Sequence, residues 1–237
     1  MSGHSHWSTI KFKKGIEDAK RSKVFSKFAK EITVAARDGG GDLNFNPRLR
    51  MVVEKAKQEN MPSDNIEKAI KKGTGELKGE VLEEFLFEAY GIDGVAILIE
   101  GITDNINRTV NELKQTIAQN GGKMVEAGAI RWMFDKKGVI DVKQGEKDDE
   151  ETELDLISAG AEDISKEEDL FIVETKVENL DSTRKNLESM GYKIESSTLS
   201  WIPKERVTAN QEKNYKLFEA LDDSDDVREF YYNLNEE

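Results

Sequence analysis

The chain has 237 residues, 35% of them charged, a formal charge of −13 and no cysteine. The missing cysteines exclude disulfides, zinc fingers, iron–sulfur clusters and thiol nucleophiles, and both histidines, His4 and His6, precede Ser8, which excludes a His-based catalytic centre inside the fold. The longest apolar run, Val95–Ile99, is far short of the ~20 residues of a membrane span, and the first residues lack the apolar stretch of a secretory signal.

The charge is unevenly placed. Residues 1–79 carry 17 Lys and Arg against 10 Asp and Glu, whereas the rest carry 18 against 38. Such asymmetry points to a basic contact module on an acidic body, the alternative being a surface charge that merely drifts along the chain. Within the basic segment the periodicity predicts a helix over 20–37, with Val24, Phe25, Phe28, Ile32 and Ala35 on one face. At ~100° per residue, Lys20, Lys23, Lys27, Lys30 and Arg37 fall together on the opposite side, with Val34 inside that sector and Glu31 on its border. Gly39-Gly40-Gly41 ends the helix. Asn46 and Pro47 cap and open a second, and Pro62-Ser63 starts a third that closes at Gly73. Gly73-Thr74-Gly75 meets no nucleotide-loop fingerprint and is expected to be a hinge.

Alternation then predicts a hairpin, Phe85–Tyr90 with Val95–Glu100, a helix over Asp104–Gln119, and a half-buried strand through Ile130, Trp132 and Phe134. From Lys136 the expected order is strand, helix, strand, strand, helix, strand, ending at Tyr192–Trp201, a ferredoxin-like βαββαβ unit. A change of phase between Ile194 and Leu199 predicts a bulge. A helix over Asn210–Leu221 and a strand over Phe230–Leu234 remain without partners. They either complete the Phe85–Phe134 sheet or form a separate tail. The first solution gives an α+β chain in which an N-terminal three-helix domain (1–79) precedes two α/β (ferredoxin-like) domains, one (136–203) inserted into the other (80–135 with 204–237).

The head of the chain combines Trp7 with Lys11, Lys13 and Lys14. An exposed aromatic among lysines suits base stacking and phosphate neutralisation, although Trp7 could equally be tucked against the helices. Together with Lys20, Arg21, Lys23, Lys27, Lys30 and Arg37 these residues form the predicted nucleic-acid-binding set. No catalytic residue, metal site or cofactor is expected, and the protein is read as a non-enzyme. The stripe is rich in Lys, which contacts phosphate well and reads base edges poorly. Physically this favours structured RNA slightly over an operator sequence. A protein-binding adaptor using the acidic body is a further alternative.

Several stretches carry a family resemblance: Gly3-His4-Ser5-His6-Trp7, Ile32-Thr33-Val34-Ala35-Ala36-Arg37, Asn46-Pro47-Arg48-Leu49-Arg50, Asn60-Met61-Pro62, Ile70-Lys71-Lys72-Gly73-Thr74-Gly75 and Thr103-Asp104-Asn105. In this order, over nearly the whole chain, they resemble the YebC/PmpR family of transcriptional regulatory proteins. The resemblance implies three domains, a cytoplasmic location, and DNA-binding control of transcription at promoter DNA. Through relatives that include a mitochondrial translational activator, it also implies the alternative of a ribosome-associated factor that binds ribosomal RNA and relieves stalls at proline-rich stretches.

Overall fold

The computed structural model describes residues 18–145, 147–167 and 169–236. Helix α1 spans Asp18–Gly39, α2 Pro47–Gln58 and α3 Ser63–Gly73. Their apolar stripes meet in one core of Phe28, Ile32, Ala35, Ala36, Leu49, Val53, Ala56, Met61, Ile66 and Ala69. Buried Asn46 fixes the α1–α2 corner. Its side chain accepts from the Leu49 N–H at 3.0 Å while its amide donates to the Ala35 and Gly40 carbonyls at 2.8 and 2.7 Å. At the end of α3, a Cβ on Gly73 would collide with the Thr33 carbonyl oxygen and lie 2.7 Å from the Ala36 Cβ. The first glycine of the expected hinge thus has a packing duty, letting α3 approach the backbone of α1.

Strands β1 (Glu83–Tyr90) and β2 (Ala96–Thr103) form the predicted hairpin, and α4 (Ile106–Gln119) follows, capped by Asn105. The three-residue strand β3 (Lys123–Val125) then pairs with β1. The chain returns to this sheet only near its end, through α7 (Gln211–Asp222) and β8 (Val227–Tyr232), which pairs antiparallel with β2. The sheet order is β3-β1-β2-β8. Central β2 is buried along its whole length, and Phe218 of α7 stacks on Tyr232 with ring centroids 4.3 Å apart.

The strand expected through Ile130, Trp132 and Phe134 does not form as such. Arg131–Met133 make a single 3-10 turn and β4 starts at Phe134. Ile130 is fully buried and Trp132 is 65% exposed, so their alternation reflects a loop anchored at one point.

The second sheet is built from β4 (Phe134–Lys143), α5 (Asp149–Ala159), β5 (Asp163–Glu167), β6 (Leu170–Thr175), α6 (Leu180–Ser189) and β7 (Ile194–Pro203). Its order, β5-β6-β4-β7, is the antiparallel ferredoxin-like arrangement. The expected bulge falls at Glu195, since Asp141 pairs with Ser196 and Val142 with Ile194. Ile140, Val142, Leu156, Phe171, Val173 and Leu187 are buried in this unit. The described residues divide into two compact units: 133–205, and 18–132 with 206–236. The three helices and the first sheet share the second of these.

Candidate nucleic-acid interface

The lysines of α1 occupy successive turns, and the structure shows where that face points. Lys23 Nζ donates to the Asp223 carbonyl at 3.0 Å, and Lys27 Nζ donates to the Asp222 carbonyl at 2.8 Å. These carbonyls close α7, where a helix leaves acceptors without intrahelical partners and concentrates partial negative charge. Lys30 Nζ lies 2.6 Å from Asp226 Oδ1 and 3.0 Å from the Asp225 carbonyl. Val34, from the middle of the predicted basic sector, is fully buried with Leu82 and Ile102. Arg37 donates to the Leu82 carbonyl and pairs with Asp38 at 2.8 Å. The basic side of α1 is therefore the side on which the helix docks to the sheet and to the acidic turn 222–226.

Asp226 is the centre of this contact, its side chain 6% exposed. Besides Lys30, it accepts from Arg108 Nη2 at 2.8 Å, Thr109 Oγ1 at 2.6 Å and Thr103 Oγ1 at 3.2 Å. Burial alone would raise its pKa, but the donors from Lys30, Thr109 and Arg108 outweigh that penalty and hold the carboxyl at about 2. Half-buried Glu31 is pushed the other way by burial, against the attraction of Arg228 and Lys55.

Besides Arg21 and Lys23 near the start of α1, further exposed cations lie elsewhere on the helical segment. In α3 the buried residues are Ile66 and Ala69, and Lys68 and Lys72, one turn apart, are exposed at the flank of that stripe. Lys57 of α2 and Lys78 beyond α3 are also exposed, and none of these four makes an ion pair among the described residues. Lys71 is tied to Glu67 at 2.6 Å.

One further feature belongs to the first sheet. Glu88 of β1 is 2% exposed, and its carboxylate accepts from the backbone N–H groups of Gly128, Ile130 and Arg131 at 2.6, 2.7 and 3.1 Å. These charge-assisted bonds pin the loop that carries Trp132. The Trp132 indole N–H donates to the Ala129 carbonyl at 2.9 Å.

Two family models cover nearly all of the sequence: the TACO1/YebC protein N-terminal domain matches residues 5–76, and the TACO1/YebC second and third domain matches 82–234. The chain belongs to the TACO1/YebC family. A probable transcriptional regulatory protein of Geobacter sulfurreducens is 51% identical over 99% of this chain and 96% of its own. Another relative of that name, from Halothermothrix orenii, is 45% identical over 99% of this chain and 95% of its own. The crystal structure of a conserved hypothetical protein from Aquifex aeolicus superposes with a TM-score of 0.83 at 41% identity, covering 92% of this chain and 91% of that one.

For this member of the TACO1/YebC family, the predicted binding residues fall into three groups. Trp7, Lys11, Lys13, Lys14 and the side chain of Lys20 lie outside the described residues. Lys27, Lys30 and Arg37 are drawn into internal contacts, the first two half-buried. Arg21 and Lys23 are exposed, and the Lys23 ammonium, with three donors, retains some beyond the Asp223 carbonyl. Sequence reasoning passed over Lys57, Lys68, Lys72 and Trp132. The lysines were legible as positions off the apolar stripe of their helices. Trp132 was not, because an alternating run hid its exposure. Among the described residues no helix is long and apolar enough to cross a membrane.

Proposed function

We propose that the protein is a nucleic-acid-binding regulator whose basic helical segment meets the phosphate backbone, with the DNA-binding transcriptional reading first. The observation that carries this is the charge segregation: residues 1–79 are basic on an otherwise acidic chain, and Lys57, Lys68, Lys72 and Lys78 stand exposed without ion-pair partners among the described residues. The names of the relatives support a regulatory role. The contact set consists of Arg21, Lys23 and these exposed lysines, with the head residues Trp7, Lys11, Lys13 and Lys14 as further candidates. A cytoplasmic location and the three-domain division 1–79, 80–135 with 204–237, and 136–203 go with this reading.

A second reading, a ribosome-associated factor on structured RNA, draws on the chemistry of the exposed cations. Apart from Arg21 those of the contact set are lysines, which serve as point charges for phosphate and lack the planar fork with which Arg reads a base edge. Titrations of duplex DNA and of a structured RNA across a salt series test both readings. Lys68→Ala with Lys72→Ala is expected to leave folding intact, since both side chains are exposed. It should reduce the slope of log K against log salt by about 0.7–0.9 for each phosphate that is no longer neutralised. An unchanged affinity and slope on both ligands would remove Lys68 and Lys72 of α3 from the interface. Comparing promoter fragments with isolated large ribosomal subunits then separates transcription from translation.

A further inference from the structure

We infer that Trp132 is a fixed stacking platform for an unpaired nucleobase, a subsite distinct from the lysines that meet phosphate. The inference rests on the nucleic-acid reading above and names a chemical contact within it.

Large aromatic side chains bury readily, and leaving an indole in water forfeits most of its hydrophobic stabilisation. Trp132 nonetheless exposes 65% of its surface, while Trp201 exposes 6%. A mobile exposed indole would be ordinary, but this one is held twice. The indole N–H is already bound to the Ala129 carbonyl at 2.9 Å, so the polar edge is satisfied inside the loop and the open part of the ring is apolar. The loop backbone is fixed on the buried Glu88 carboxylate through three N–H groups, and Ile130 beside it is fully buried. A buried carboxylate is costly unless fully hydrogen-bonded. Here that cost goes into ordering the loop that presents a single bare aromatic ring.

A rigid ring loses little conformational entropy when a partner covers it, which is the property of a binding anchor. Its chemistry selects a planar partner with a π-face. In the segment 123–132 the exposed charged residues are Lys123, Glu126 and Arg131, a small positive excess suited to the flanking phosphates of a strand. An unpaired base combines both features: a planar face for the indole and a backbone anion beside it. A paired base inside a duplex offers no free face, so the subsite favours single-stranded or looped segments.

The test measures binding of the full-length protein to a short mixed-sequence single strand, to the same strand with abasic positions, and to a duplex. Trp132→Ala should weaken binding to the base-bearing strand by roughly 5- to 150-fold, the range for removing one base–aromatic stack. Trp132→Phe, which keeps a π-face, should recover most of that affinity. Binding to the abasic strand and the salt slope should not change, because every phosphate keeps its cation. Hydrogen exchange at Gly128 and Ile130 reports whether the loop keeps its anchor in both variants. Unchanged affinity of Trp132→Ala for the base-bearing strand would overturn the inference, as would an equal weakening on the abasic strand or a Phe variant as weak as Ala. If the wild type bound none of the three ligands, the nucleic-acid reading itself would fail and this subsite with it. If Lys68→Ala with Lys72→Ala bound more weakly while Trp132→Ala did not, only the stacking inference would fall.

Discussion

Replacing Asp226 by Asn removes the charge on which α1, β2 and α4 converge, and its effect can be worked from the structure. The carboxyl is held at about 2 against an ordinary value of 3.8 by the ammonium of Lys30, the hydroxyl of Thr109 and the guanidinium of Arg108. At 1.36 kcal/mol per pH unit this corresponds to about 2.4 kcal/mol. The Arg108 side chain is 42% exposed, and solvent screening on that side reduces the expected contribution to about 1–2 kcal/mol. The folded-state pKa lies below the unfolded one, so the stabilisation is present in full above about pH 4 and is lost as pH falls through 4 toward 2. Asp226→Asn should therefore be less stable than wild type at pH 7, and the gap should close over that acid window. Urea midpoints at pH 7, 4 and 2.5 measure it. Hydrogen exchange at Ile102, whose N–H donates to the Asp226 carbonyl at 2.9 Å, localises the change to the unit that holds the contact. A gap that is the same at pH 7 and pH 2.5 would show that Asp226 acts by shape alone. No gap at pH 7 would refute the electrostatic reasoning altogether.

Two further substitutions probe the frame around the candidate interface. Glu88→Ala strands three backbone donors around a cavity and should cost about 2–4 kcal/mol, with exchange at Gly128, Ile130 and Arg131 rising first; unchanged protection there would mean that the loop holds itself. Gly73→Ala forces the α3 end away from the Thr33 carbonyl and should cost about 1–3 kcal/mol in thermal unfolding, whereas Gly145→Ala, with nothing within 4 Å of the added Cβ, should cost little. Equal effects at the two glycines would contradict the close-packing account of the Gly73-Thr74-Gly75 turn.

Much of the architecture was already written in local patterns. The α1 apolar stripe, the Asn46-Pro47 start of α2 and the βαββαβ order each depend on residues near one another in the chain, and each produced the expected element. The Glu195 bulge was legible for the same reason, since a period-2 pattern that changes phase must accommodate an extra residue. The face assignment of the lysines was different in kind. Helical-wheel arithmetic gives the angle between two side chains, but it does not say what a third element brings against either side. Lys23, Lys27 and Lys30 read as a solvent-facing stripe because the acidic turn they meet lies about 200 residues away in sequence. Val34, an apolar residue in the middle of that stripe, was the one local sign that the face is covered, and it packs on Leu82 and Ile102. Glu88 carried no such sign. Its burial follows from three N–H groups of a loop some 40 positions downstream, and that loop is what turns Trp132 outward. Short-range periodicity thus determined most of the helices and strands, but not the short β3, the turn at Arg131–Met133 or the exact starts of β4 and β8. Which of their polar faces meet water was decided by the pairing of β8 with β2, which brings the C-terminal acidic turn against α1.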